Sequence, residues 1–152
     1  MTKQEFQQAY KDRLNIWFYW DNFLRNSDIK LQTRRANIEE TQGFYVLRYA
    51  KNGEPDFRTI QDQVNDPACH LITLEDAQLD PKRWNLGADK PPRDIWPIPI
   101  ATDLSSKKTL ILDSNHLLAS WASRQDIPFI EVFGPNLENL VEDFKVLNRQ
   151  NT

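Results

Sequence analysis

One cysteine, two histidines and four glycines in 152 residues remove several kinds of chemistry at the outset. A lone Cys69 excludes an internal disulfide, and His70 and His116 lie too far apart for a zinc-ligand spacing, so no metal site is expected. Cys69 adjoins a strand-like run and reads as a small buried hydrophobe rather than a nucleophile. No run approaches the ~18 apolar residues of a membrane span, and the leading MTKQEFQQAYKDR lacks the apolar centre of a signal peptide; the expectation is a cytoplasmic protein with no membrane partner. Basic excess is missing too, since 19 Lys and Arg face 22 Asp and Glu for a net charge of −3. That disfavours a nucleic-acid partner, whose footprint is a cationic face. The pairs Arg34-Arg35, Lys82-Arg83 and Lys107-Lys108 read as solvated surface.

The composition is otherwise that of a folded chain. At 39% hydrophobic and 11% aromatic residues there is enough apolar side chain for one core, and residues 1–152 read as a single domain. Thr2 and Glu5 have the spacing of a capping box, after which Phe6, Tyr10, Leu14, Trp17, Phe18 and Leu24 recur at helical intervals. This predicts a long amphipathic helix within a helical extension over 1–43, with a second short helix between Asn26 and Gln42. Ile16-Trp17-Phe18-Tyr19-Trp20 would wrap around such a helix, more than one buried stripe accommodates, which makes Trp17 and Trp20 candidates for contact with a protein partner.

Residues 44–152 carry the strand signals. Phe44 to Tyr49 reads as a strand closed by a tight turn at Lys51-Asn52-Gly53-Glu54. Phe57 to Val64 either pairs with it or forms a short helix. His70 to Leu74 is strand-like, and Glu75 to Gln78 resembles one helical turn. Pro97 and Pro99 allow an edge strand before Ile100 but argue against a central one. Asn136 is placed to cap a last helix that buries Leu137, Leu140, Val141, Phe144 and Leu147. The fold class is α+β, a small mixed sheet with flanking helices.

The segment Thr109 to Val132 holds the candidate site. It reads as strand, polar turn, helix and strand, with Asp113-Ser114-Asn115-His116 where the turn meets the helix start; Leu110, Leu112, Leu118, Trp121, Phe129 and Val132 are expected inside. Free amides at a helix start favour an anion, and His116 titrates near neutrality, so Ser114, Asn115 and His116 are candidate ligand-binding residues. The same residues also make a good helix cap and nothing more.

The order of elements from His70 to Val132, HLITLEDAQL, WPIPIATD, TLILD, SNHLLASW and IPFIEV, resembles the ParB/sulfiredoxin superfamily. The resemblance covers a little under half of the chain. It implies a ParB/sulfiredoxin-like core over 44–152, in which the turn, typically Asp-Gly-Asn/His-His-Arg, cradles nucleotide phosphates. Asp113, Asn115 and His116 match that pattern. Ser114 stands where glycine would admit a phosphate to the backbone, and Leu117 where arginine would supply a bidentate donor.

Two functions follow as expectations. The first is a degenerate domain that binds a macromolecular partner, an inhibitor or immunity-type protein using Trp17 and Trp20, with no cofactor. The second is a nucleotide-binding enzyme for phosphotransfer, NTP hydrolysis or nuclease chemistry. It would hold a nucleotide with Mg2+ at Ser114 to His116, with Asp113 and His116 as its catalytic pair.

Overall fold

The computed structural model describes residues 1–12, 14, 16–49, 55–65, 97–112 and 126–150. The chain runs α1 (Lys3–Tyr10), α2 (Trp20–Arg25), β1 (Lys30–Asn37), α3 (Ile38–Thr41), β2 (Tyr45–Tyr49), β3 (Pro55–Thr59), α4 (Ile60–Asn65), β4 (Ile98–Asp103), β5 (Lys108–Ile111), β6 (Asp126–Gly134), a 3-10 turn (Leu137–Asn139) and α5 (Asp143–Arg149). Among the described residues six strands form one sheet in the order β1-β6-β4-β5-β2-β3. It is mixed: β1–β6, β4–β5 and β2–β3 pair antiparallel, whereas β4–β6 and β2–β5 pair parallel. This is the mixed sheet with flanking helices that an α+β reading implies.

Strand alternation divides the core. Ile130, Val132, Ala101, Leu110, Leu112, Leu47 and Phe57 face one way and join Phe6, Phe18, Phe23, Phe144 and Leu147 from the helices. Phe129, Ile98, Ile100, Ile111, Val46 and Ala36 face the other way, with Phe44 and Ile60. Leu110, Leu112, Phe129 and Val132 are therefore buried, two on β6 and two on or just after β5.

The amino-terminal region departs from the sequence reading. Thr2 does cap α1, its hydroxyl accepting from the Glu5 amide at 3.1 Å and the Glu5 carboxylate accepting from the Thr2 amide at 3.1 Å. The helix then stops at Tyr10 instead of running on to Leu24. Ile16 to Tyr19 form an extended strap in which Ile16 and Phe18 are buried and Trp17 is exposed, and Phe18 bridges Val141. Four successive β-branched or aromatic residues have modest helix propensity, and an extended strap sends alternate ones inward, which a helix cannot do. The second helix expected between Asn26 and Gln42 is mainly β1, an eight-residue strand paired along its length with β6; only Ile38–Thr41 is helical.

Phe57 to Val64 resolves into both alternatives, since β3 pairs with β2 and α4 follows immediately. The proline-bearing strand is not at an edge: β4 lies between β6 and β5. Pro99 is tolerated there because its ladder partner is Leu112, just beyond the last residue of β5. The Leu112 amide donates to the Pro99 carbonyl at 2.9 Å, and only the reciprocal bond, which proline cannot make, is forgone.

Asn136 does not cap by its side chain; it adopts a left-handed conformation with φ of 55°. The buried carboxylate of Asp103 takes that role. Its Oδ1 accepts from the Ser105 and Leu137 amides at 3.1 and 3.4 Å, and its Oδ2 accepts from the Ser106 hydroxyl and the Asn148 carboxamide at 3.0 and 3.3 Å. One side chain thus ties the β4–β5 turn, the 3-10 turn and α5 together. Beyond it Leu137, Leu140, Val141, Phe144 and Leu147 are all buried.

Candidate functional site

The turn Asp113 to Leu117 lies outside the described residues, as do Cys69, His70, Leu118, Trp121 and the Lys51 to Glu54 turn. The strands that frame it are described. β5 lies alongside β2 in parallel, Leu112 after it is fully buried, and the chain re-enters the sheet at Asp126 beside β1. Among the described residues no group of three or more His, Cys, Asp or Glu side chains could hold a metal ion, and no helix is long and apolar enough to cross a membrane.

Trp17 and Trp20 fall in different environments. Trp20 is half-buried at the start of α2, its ring 4.4 Å from that of Phe18 and 5.8 Å from those of Phe6 and Phe23. These rings are tilted or edge-on, the arrangement aromatic quadrupoles prefer, so Trp20 serves mainly to close the core. Trp17 is 68% exposed. Its one aromatic neighbour among the described residues is Tyr19, met edge-on at 6.4 Å. The Tyr19 amide is anchored to the Leu140 carbonyl at 2.8 Å. Partial desolvation, followed by the charge and hydrogen bond of Glu142, raises the Tyr19 hydroxyl above its ordinary pKa. Trp17 is therefore presented on a backbone held on both sides of it, by buried Ile16 and by the Phe18–Val141 bridge.

A second polar constellation was not singled out from the sequence. Glu131 is only 4% exposed in the middle of β6. Its Oε1 accepts from Gln32 Nε2 at 2.6 Å and Arg34 Nε at 3.0 Å, and its Oε2 accepts from Arg34 Nη2 at 3.0 Å and the Thr102 hydroxyl at 2.6 Å. Thr102 shares a hydrogen bond of 2.8 Å with Thr109, and Arg34 Nη1 reaches both oxygens of Glu40 at 2.7 and 2.9 Å. Burial pushes the Glu131 carboxyl up, but the bonds from Arg34, Thr102 and Gln32 outweigh it, and its pKa sits below the usual carboxylate range. A carboxylate saturated by four donors is a poor base. The network is a clamp that fastens β1 to β6 and β4. Its sequence signal was the carboxylate in Ile127-Pro128-Phe129-Ile130-Glu131-Val132, which strand alternation puts on the buried face with Phe129.

No protein-family model, curated protein or solved structure matches the chain, so its function has to be argued from these side chains.

Proposed function

We propose that this chain is a binding module, a degenerate ParB/sulfiredoxin-like domain that engages a protein partner in the manner of an inhibitor or immunity protein. The observation that supports it is Trp17, a large apolar side chain 68% exposed on a fixed strap while its neighbours Ile16 and Phe18 are buried. Burying a tryptophan on an already ordered backbone gains apolar contact at little conformational cost, and such residues concentrate interface energy. Trp17 is the principal anchor in this reading, with Tyr19 beside it; the half-buried Trp20 supports them from the core side. In this reading Asp113, Asn115 and His116 keep part of the superfamily's motif, and Ser114 and Leu117 replace the residues that would serve phosphate.

The test is affinity capture with the intact chain and its Trp17→Ala variant. A partner recovered by the parent and lost from the variant, at an unchanged melting temperature, supports the reading; truncating an anchor costs about 2 kcal/mol or more of binding. Equal recovery by both proteins removes Trp17 from the interface. A parallel thermal-shift series with ATP, CTP and GTP plus Mg2+ addresses catalysis. A nucleotide present at about 100 times its Kd would stabilise the fold by about 2.7 kcal/mol, and such a shift would move the reading to a nucleotide-dependent enzyme acting through Asp113 and His116.

A further inference from the structure

Between α2 and the turn that follows β6 lies a cleft of about 310 Å³, lined by Asn22, Arg25, Asn26, Ile29, Asn136, Asn139 and Leu140. That volume is at the lower end of small-ligand sites, about the size for a monosaccharide. Ile29 and Leu140 give it two apolar surfaces, and the remaining five side chains are hydrogen-bonding.

Three of the four carboxamides are tethered at one end. Asn22 Nδ2 donates to the Asn139 carbonyl at 2.7 Å, Asn26 Oδ1 accepts from the Asp28 amide at 2.9 Å, and Asn136 Oδ1 accepts from the Ser105 hydroxyl at 3.2 Å. Each bond holds its side chain in place and leaves the other end of the amide unengaged among the described residues: an acceptor on Asn22, and donors on Asn26 and Asn136. One acceptor and two donors held on the same cleft suit hydroxyl groups, which both donate and accept.

The electrostatics add a charge preference. The lining has one cation, Arg25, and no carboxylate. Arg25 is exposed and has no acidic partner among the described residues. Behind the wall the Lys3 ammonium donates to the Asn26 carbonyl at 2.8 Å. Burial, and then the charge of Lys30, lower the Lys3 pKa.

We propose that this cleft binds a small hydroxylated oxyanion, a sugar acid or sugar phosphate, with Arg25 paired to the anion and the carboxamides of Asn22, Asn26, Asn136 and Asn139 reading the flanking hydroxyls. Guanidinium and oxyanion match in geometry as well as charge, which fixes the orientation of the ring relative to the asparagines. The cleft adjoins the strap, since Leu140 lines it and its carbonyl accepts from the Tyr19 amide, but neither Trp17 nor Tyr19 is among its lining residues, and its occupancy is measured without any protein partner.

Calorimetric titration of the full chain with glucuronate, glucose 6-phosphate, glucose and inorganic phosphate tests this. Saturable binding of glucuronate or glucose 6-phosphate is expected, and the tighter of the two identifies the anion. Glucose, which lacks the charge, and inorganic phosphate, which lacks the hydroxyls, should each bind at least about tenfold more weakly. Arg25→Gln should weaken the charged sugar by about tenfold or more, and Asn139→Ala should weaken it too, both without change in melting temperature. The proposal is overturned if neither charged sugar binds saturably, if glucose binds as well as glucuronate, or if Arg25→Gln leaves the affinity unchanged.

Discussion

Arg34 and Glu131 meet as a fork-to-fork pair across two strands, Nε to Oε1 and Nη2 to Oε2 both at 3.0 Å, with Arg34 two places along β1 from the residue that faces Glu131 in register. The pair is asymmetric in burial, since the Arg34 side chain keeps 26% of its surface and that of Glu131 only 5%. Arginine can therefore re-solvate if the pair breaks, whereas the carboxylate cannot.

Glu131→Gln removes the charge and turns one acceptor into a donor facing other donors. The expected loss is about 2–3 kcal/mol at pH 7, measured by denaturant unfolding of both proteins. The loss should depend on pH in a definite direction. Because the Glu131 pKa is lowered in the fold, the unfolded chain takes up this proton first as pH falls, so its stabilisation is complete above the ordinary value of 4.5 and disappears through the folded value. The difference between parent and variant should narrow on acidification; a constant difference would show that the charge contributes nothing.

Phe23→Ala and Trp17→Ala should separate the two aromatic populations. Phe23 is fully buried and touches the rings of Phe6, Phe18 and Trp20 at 5.4 to 5.8 Å, so its loss leaves a cavity costing about 3–5 kcal/mol. Trp17→Ala should shift stability by no more than about 0.5 kcal/mol. Comparable losses in the two variants would place Trp17 in the core.

Gln150 lies against the outer edge of β3, where its Nε2 donates to the Phe57 carbonyl at 2.8 Å and its Oε1 accepts from the Phe57 amide at 3.3 Å. Gln150→Glu keeps the acceptor, loses the donor and sets a carboxylate near Asp56, which the amide now contacts at 3.0 Å. A cost of about 1–2 kcal/mol is expected, with faster hydrogen exchange at the Phe57 amide as the local signature.

Asp143 shows the opposite sign to Glu131. Burial first, then the neighbouring charge of Glu142, raises its pKa above 3.8. The fold therefore holds this proton more tightly than the unfolded chain does, and stability is lost as pH rises from the ordinary value through the folded one. Asp143→Asn should gain stability relative to the parent between about pH 3 and pH 7; a relative loss would show that the favourable position of Asp143 in the first turn of α5 outweighs its burial.

Strands β2, β5 and β6 were readable because they carry dense apolar runs: Phe44 to Tyr49, Thr109 to Leu112 and Ile127 to Val132 all belong to strands or their immediate ends. β1 was not readable, since Lys30 to Asn37 offers only Leu31 and Ala36 as apolar side chains. What holds it is the ladder to β6 and the Arg34–Glu131 pair, both contributed by residues almost a hundred positions away. The strap at Ile16 to Tyr19 carried no polar and apolar alternation to reveal it, because all four residues are large and apolar or aromatic and fit the helical periodicity around them. Asp103 could not be distinguished by pattern from any other turn aspartate, because its bond to the Ser105 amide is an ordinary turn contact and its further partners, the Leu137 amide and the Asn148 carboxamide, arrive from after β6. At the candidate site the exposure of Trp17 was legible as an excess of aromatics, but the choice between Trp17 and Trp20 depended on where the helix broke.

The two margins of the sheet are unequal. β3 is stoppered by the Gln150 carboxamide, which occupies both hydrogen-bonding groups of Phe57 much as a neighbouring strand would. β1, at the other margin, is eight residues long and ends the strand order. At β3 an added strand would have to displace that carboxamide before it could pair with Phe57, an obstacle with no counterpart along β1 among the described residues.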